Sequence, residues 1–341
     1  MTNHRPWRPR FECFYPFAAL VGTAMLVAGC DPAASTSDGA LGYADRVETE
    51  LGTASGDSGA LVPFPRRRDR IHVIEPVRVS LSQWSDLEDC EAGALIAQAN
   101  SPLGKVRTAF ERVRHSHALI AALDECQGTM SEEEWAAFEP DRAAKAAQVD
   151  EERWNAFWVS EAVERSVGRT TPLDASLRSG AFEQWQQLVA SITPEERSAV
   201  DEAQWYSAEA TLDKSAGVGE AFRFMVTTTA GLERVADAVE QTRAERSVCL
   251  RKDRRVIAIM RGEYAKKLQP LMARGDVTLR NASQSMAAAL KALEPSAGIP
   301  SAMKPWAAQW AGNRAFEAYR AATRRHAAAI GTLLTACNET L

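Results

Sequence analysis

The run FEAYRAATRRHAAAIGTLLTAC, Phe316 to Cys337, decides the fold. Phe316, Tyr319, Ala322, His326, Ile330 and Leu333 recur at three- and four-residue steps, which a helix gathers onto one stripe. No proline interrupts the run, so the spacing predicts a helix that continues to Cys337.

The same texture extends upstream. Val106, Phe110, Val113, His117, Ile120 and Leu123 precede Cys126, and Phe222, Val226, Leu232, Val235 and Val239 lead toward Cys249. Leu279, Ala282, Met286, Ala289 and Leu293 form the penultimate stripe, closed by Pro295 and Gly298. Ser131 before three glutamates is a helix start, because its hydroxyl can cap free N–H groups and acids favour the positive helix end. Thr193-Pro194-Glu195-Glu196 is another, with proline at the first helical position. Trp154, Phe157, Trp158 and Ala162 share a face of a separate helix, and Leu41, Ala44, Val47 and Leu51 a face of the first. Gly52 to Pro65 breaks that first helix. Arg70 to Ser80 (RIHVIEPVRVS) is β-prone but carries Pro76, and reads as an extended connector. The expected fold is an all-α, irregular multi-helix bundle of roughly eight to ten helices.

Ahead of this body stands a secretion signal. Arg5, Arg8 and Arg10 precede an apolar stretch, Phe14 to Val27, too short for a membrane span of ~20 residues. Leu26-Val27-Ala28-Gly29-Cys30 closes it like the lipobox of bacterial lipoproteins, in which the chain is cut before the cysteine and the thiol acylated. This reading makes residues 1–29 a signal peptide, Cys30 the lipidation site and residues 30–40 a flexible tether. The protein then sits in the bacterial cell envelope, faces the periplasm and meets the membrane through its acyl chains. Asp31 resembles an inner-membrane retention signal of enteric bacteria, and inner against outer membrane stays open.

Residues 41–341 form the helical domain, long enough for one large unit or two subdomains of about 41–200 and 201–341. Removing residues 1–29 takes three arginines and one glutamate from the 40 basic and 45 acidic residues, leaving a net charge of −7. A mildly acidic protein gives no prior for nucleic acid.

Without Cys13 and Cys30, four cysteines remain, and an even number in an oxidising compartment reads as two disulfides. Of three connectivities, Cys90–Cys126 with Cys249–Cys337 is favoured, because each then staples one half of the chain. Isolated cysteines without CxxC spacing argue against a metal, and no cofactor motif is present.

The stretch Ala99-Asn100-Ser101-Pro102-Leu103-Gly104-Lys105-Val106, flanked by Cys90 and Cys126, resembles the signature of an uncharacterised proteobacterial lipoprotein family, domain of unknown function 3080. Tyr264, Gln269-Pro270-Leu271, Phe316, His326 and Leu333-Leu334 before Cys337 resemble its closing pattern. The resemblance runs from about Leu41 to Asn338. Ala99 stands where the pattern places an arginine, and the aromatic segment before Gln269 is thinner. The family implies a location and an architecture but no activity.

Catalytic strings dissolve on inspection. Gly56-Asp57-Ser58-Gly59 matches a serine-protease nucleophile, yet no histidine lies between Cys30 and Ser58. Leu103-Gly104-Lys105-Val106 ends like a phosphate loop, but Ala99 replaces its first glycine and Val106 its metal-binding hydroxyl. His115 and His117 are two apart and diverge on a helix, and His326 reads as a core histidine. The tryptophans, Trp135 to Trp310, have core rather than sugar-stacking spacing. Arg66-Arg67-Arg68-Asp69-Arg70 reads as a solvated loop, with contact to anionic head groups as the alternative. Asn100 and Ser101 fit a helix stop and a cap before Pro102, or else a polar turn that presents Asn100, Ser101 and Lys105 to a ligand.

Two function classes follow. One is a non-catalytic binding or scaffolding module for an envelope protein, peptidoglycan or lipid. The other is an envelope hydrolase or transferase with a dispersed site of Asn100, Ser101, Lys105 and His326. Convergence of those four on one pocket separates them.

Overall fold

The computed structural model describes residues 38–53, 61–87, 89–169, 171–193, 201–245 and 247–340. The signal segment, Cys30, the tether as far as Ser37, the Gly56–Gly59 string and Pro194-Glu195-Glu196 lie outside the described residues. In chain order the helices are α1 (Gly39–Leu51), α2 (Leu81–Asp86), α3 (Glu91–Asn100), α4 (Pro102–Lys105) and α5 (Ala109–Cys126). There follow α6 (Glu132–Trp158), α7 (Glu161–Gly168), α8 (Leu173–Leu177), α9 (Ala181–Ile192) and α10 (Glu202–Lys214). The last are α11 (Gly219–Glu245), α12 (Arg251–Ile259), α13 (Gln269–Ala292), α14 (Lys304–Trp310) and α15 (Arg314–Cys337). No strand occurs among the described residues.

Helix α11 is the packing axis. Phe224 with Met225, Thr227 with Thr228, and Leu232, Arg234 and Val235 are all buried, which covers more than one stripe of its surface. It is therefore clasped between α1 and α15. A Cβ on Gly231 would come within 2.5 Å of the Ala40 carbonyl oxygen, so glycine lets α1 and α11 approach this closely. Beside that contact the Arg234 guanidinium is buried and donates through Nε to Glu48 Oε1 at 2.9 Å and through Nη2 to Asp45 at 2.6 Å. Paired in this way, the buried charge is compensated. The stripe from Phe316 to Leu333 lies in α15 as the spacing predicts, and Cys337 meets Cys249 with Cα atoms 5.0 Å apart.

Helices are more numerous and shorter than the stripes suggest. Four of them, α2, α4, α8 and α14, have seven residues or fewer, below what a periodicity search detects. The helix begun at Ser131 and the one read around Trp154 are a single 27-residue α6, which passes through Pro140, and Ala162 belongs to the next helix. The Leu279 stripe is not the penultimate helix, since α14 follows it. Helices α12 and α13 are joined by π-helical turns over Met260–Leu268. Pro270 accounts for the break there, having no N–H to continue the i→i−4 ladder.

The described residues fall in one compact unit, and α10 pairs with α9 across the position where two subdomains would divide. Its apolar interior is nonetheless in two parts. The large core holds Trp154, Trp158, Trp185, Trp306 and Trp310, all buried and in ring contact. The small core joins Leu87, Ala92, Ala122, Leu123, Cys126 and Phe138, and Cys90–Cys126 bolts it with Cα atoms 6.0 Å apart.

Candidate functional site

Between the small core and the connector before α2 lies a cleft of about 720 Å³, of the size that holds a small ligand. Three things build it. The connector, residues 71–80, has no strand partner, so side chains of α6 satisfy its backbone. Asn155 accepts from His72 N–H and donates to His72 C=O, both at 2.9 Å. Gln148 donates to Glu75 C=O at 2.6 Å, and Trp154 Nε1 to Arg70 C=O at 2.8 Å. Thus residues 71–80 form a connector without helix or strand, as read from Pro76, while Arg70 belongs to the preceding turn, and α6 backs the connector.

The second element is the turn from α3 to α4. Ser101 Oγ accepts the Gly104 N–H at 3.0 Å and donates to Gln98 C=O at 2.7 Å, and Pro102 opens α4. A Cβ on Gly104 would collide with the carbonyl oxygens of Gln98 and Ala99. The Asn100-to-Lys105 string is thus a tight corner in which Ser101, Pro102 and Gly104 suit the geometry.

The third is charge. Arg78 from the connector, Lys105 from α4, Arg107 from the following turn and Arg112 from α5 line the cleft, and none forms an ion pair among the described residues. Arg142 and Lys145 also line it but are spent, on Asp124 at 2.5 Å and on buried Glu152 at 2.5 Å. Asp141 accepts from Gln83 at 3.0 Å. Four cations without an ion pair therefore line a cleft that also includes Ile74, Val79, Ile96, Leu119 and Phe138. Arginine forks and a lysine point charge suit phosphate or carboxylate oxygens. Burial lowers the pKa of His115, and its Nε2 bonds Leu95 C=O at 2.9 Å.

The four residues put forward from sequence do not converge. Asn100 and Lys105 line the cleft, Ser101 is spent on the cap, and His326 belongs to the large core. His326 Nε2 bonds the Tyr43 hydroxyl at 3.0 Å, and its ring lies 4.4 Å from that of Tyr264 on the π-helical turns. Burial lowers its pKa to about 4. His117, whose Nε2 accepts from Arg153 at 3.0 Å, is lowered to about 4 by burial and then by that guanidinium.

The arginine run is solvated from Arg66 to Asp69, and only Arg70 departs from that reading. Arg67 pairs with Glu161 at 3.3 Å, while Arg70 is fully buried, bonds Glu164 at 2.7 Å and lies 4.2 Å over the Phe64 ring. Sequence reading missed Arg78, Arg107 and Arg112 because they lie on three separate elements and form no run. The one hint was Arg107, which directly follows the family-like string two residues after Lys105.

A smaller cavity of about 480 Å³ beneath Phe64, Trp306 and Trp310 carries both signs of charge, with Glu220 beside Arg223. Asp253 lies within 4.8 Å of the sulfurs of Cys249 and Cys337, but those sulfurs are joined and its carboxylate accepts the Leu250 N–H at 2.7 Å. No helix of the described residues is long and apolar enough to cross a membrane.

The model of a family described as protein of unknown function (DUF3080) matches residues 42–341. No curated protein and no solved structure matches the chain.

Proposed function

We propose a binding role for this chain, which belongs to the family of proteins of unknown function DUF3080. It is a non-catalytic, lipid-anchored protein of the bacterial envelope, held by an acylated Cys30, that captures an anionic ligand in the cleft between the connector, α4, α5 and α6. The observation that carries this is the set Arg78, Lys105, Arg107 and Arg112, unpaired above an apolar floor in a chain whose net charge is negative. Clustering unspent cations costs repulsion, which an anion relieves. The separation of His326 from Asn100 and Lys105 supports binding over hydrolysis or transfer, since the four candidates do not share one pocket.

Calorimetric titration of the purified mature protein with inorganic phosphate, glycerol phosphate and an acidic peptide tests the site. At least one should bind saturably at low salt, and Arg78→Glu with Arg112→Glu should abolish that binding while the helical circular dichroism persists. Absence of binding by all three, or binding indifferent to the double reversal, would refute the reading. For the anchor, Cys30→Ala should leave an uncleaved, unacylated precursor.

A further inference from the structure

The apolar residues left in water are not spread evenly. Of ten large hydrophobic side chains exposed among the described residues, six fall between positions 71 and 106: Ile71, Val73, Leu81, Trp84, Leu103 and Val106. Leu103 and Val106 are 80 % and 75 % exposed, and they bracket Gly104 and Lys105, which line the cleft. Val73 and Leu81 are each 85 % exposed and stand one and two residues from the lining positions Ile74 and Val79. A basic cleft fringed by bare aliphatic groups is the surface that a bilayer interface complements, with apolar residues entering the acyl boundary and cations meeting head groups.

We infer that the α4 corner is a membrane-facing lip and that the cleft takes the phosphate head group of an anionic lipid, with the start of its acyl chain on the apolar floor. This rests on the anionic-ligand reading above and names its ligand class. Arg78, Arg107 and Arg112 provide planar donors for phosphate oxygens, and Lys105 sits between the two aliphatic residues of the lip. Of the two acids of the lining, Glu152 is paired with Lys145, while Asp141 accepts from the neutral Gln83 amide and keeps its charge, so the cations of the lining outnumber the acids without cancelling them all. Asp38 follows Cys30 by eight residues, a chain length that spans at most about 28 Å, so an acylated Cys30 would keep the body within reach of its bilayer.

The test uses the purified mature protein with its disulfides oxidised and an environment-sensitive fluorophore on Leu103→Cys. Mixed with phosphatidylglycerol vesicles, the dye should shift to the blue and become quenchable from within the lipid. With phosphatidylcholine vesicles, or with the dye on Tyr206→Cys, neither change should occur. Replacing Arg78, Arg107 and Arg112 by alanine should weaken the phosphatidylglycerol response about fivefold per guanidinium removed. A dye that stays in water with phosphatidylglycerol overturns the inference, as does one that responds equally to both lipids or ignores the arginine substitutions. If glycerol phosphate or an acidic peptide binds the cleft while Leu103 stays in water, the anion site stands and the lipid inference alone fails. If none of the probes binds, both fail.

Discussion

The hydroxyl of Tyr43 on the first helix lies 3.0 Å from Nε2 of His326 on the last, joining residues 283 apart in sequence. Both side chains are buried, and Tyr264 packs against both rings at 5.9 and 4.4 Å. Three distant helical segments are thus fixed by one polar contact in an apolar setting. Such a contact is costly to break on one side only.

The burial of His326 makes the fold sensitive to acid. His326 is neutral in the folded state down to about 4, against 6.5 when exposed. Between those values the unfolded chain holds a proton that the folded chain excludes, so stability is full above about 6.5 and falls as the pH drops toward 4. Up to about 3 kcal/mol is at stake for this residue. Urea midpoints should fall across that window, and His326→Gln, which can still meet Tyr43, should flatten the dependence. His117, His115 and His72 are shifted in the same direction by burial and contribute to the slope that remains.

Between α1 and α11, Glu48→Ala removes the carboxylate that accepts from Nε of the buried Arg234 guanidinium. The loss should be about 3–5 kcal/mol by chemical denaturation. Glu48→Leu with Arg234→Met removes both charges and should cost less than the single substitution. A double variant as unstable as the single would show that the pair holds the helices by more than compensation of charge.

The two bridges should differ in what they protect. Cys249 and Cys337 are 88 residues apart, and replacing both by alanine should cost about 3–5 kcal/mol of global stability. Cys90 and Cys126 clamp the small core beneath the cleft, so their replacement should weaken anion binding more than it lowers the main unfolding transition. Calorimetric scans beside binding titrations separate the two effects.

At the α3 to α4 corner, Ser101→Ala removes the cap and should cost about 1 kcal/mol. Gly104→Ala should do more, since its methyl would strike the Gln98 and Ala99 carbonyl oxygens. Both should lower affinity at the cleft through the position of Lys105. Hydrogen exchange over residues 98–106 should rise in both variants.

Much of the architecture was legible because it rests on periodicity. The stripes ending at Cys126 and Cys337 became α5 and α15, except that Val106 ends α4 and is exposed, and the sequential cysteine pairs are those that meet. What escaped is set by single contacts rather than by period. Pro140 sits inside α6, against the ordinary reading of proline as a stop. Arg70, one of five charged residues in a row, lies fully buried because Phe64 and Glu164 happen to surround it. Ser101 was legible as a cap, since its local sequence requires one. The cleft was not, because Arg78, Arg107 and Arg112 meet only after the connector folds back along α6, and their separation in sequence gives no run to read.

The most direct test of an anion-capturing cleft is cross-linking in intact cells from a photoreactive residue at Ala99, which lines it, with Val277, exposed elsewhere, as control. The expected result is an anionic envelope component captured from position 99, absent from position 277 and lost when Arg78 and Arg112 are reversed to glutamate. Equal capture from both positions, or capture that survives the reversal, would contradict it.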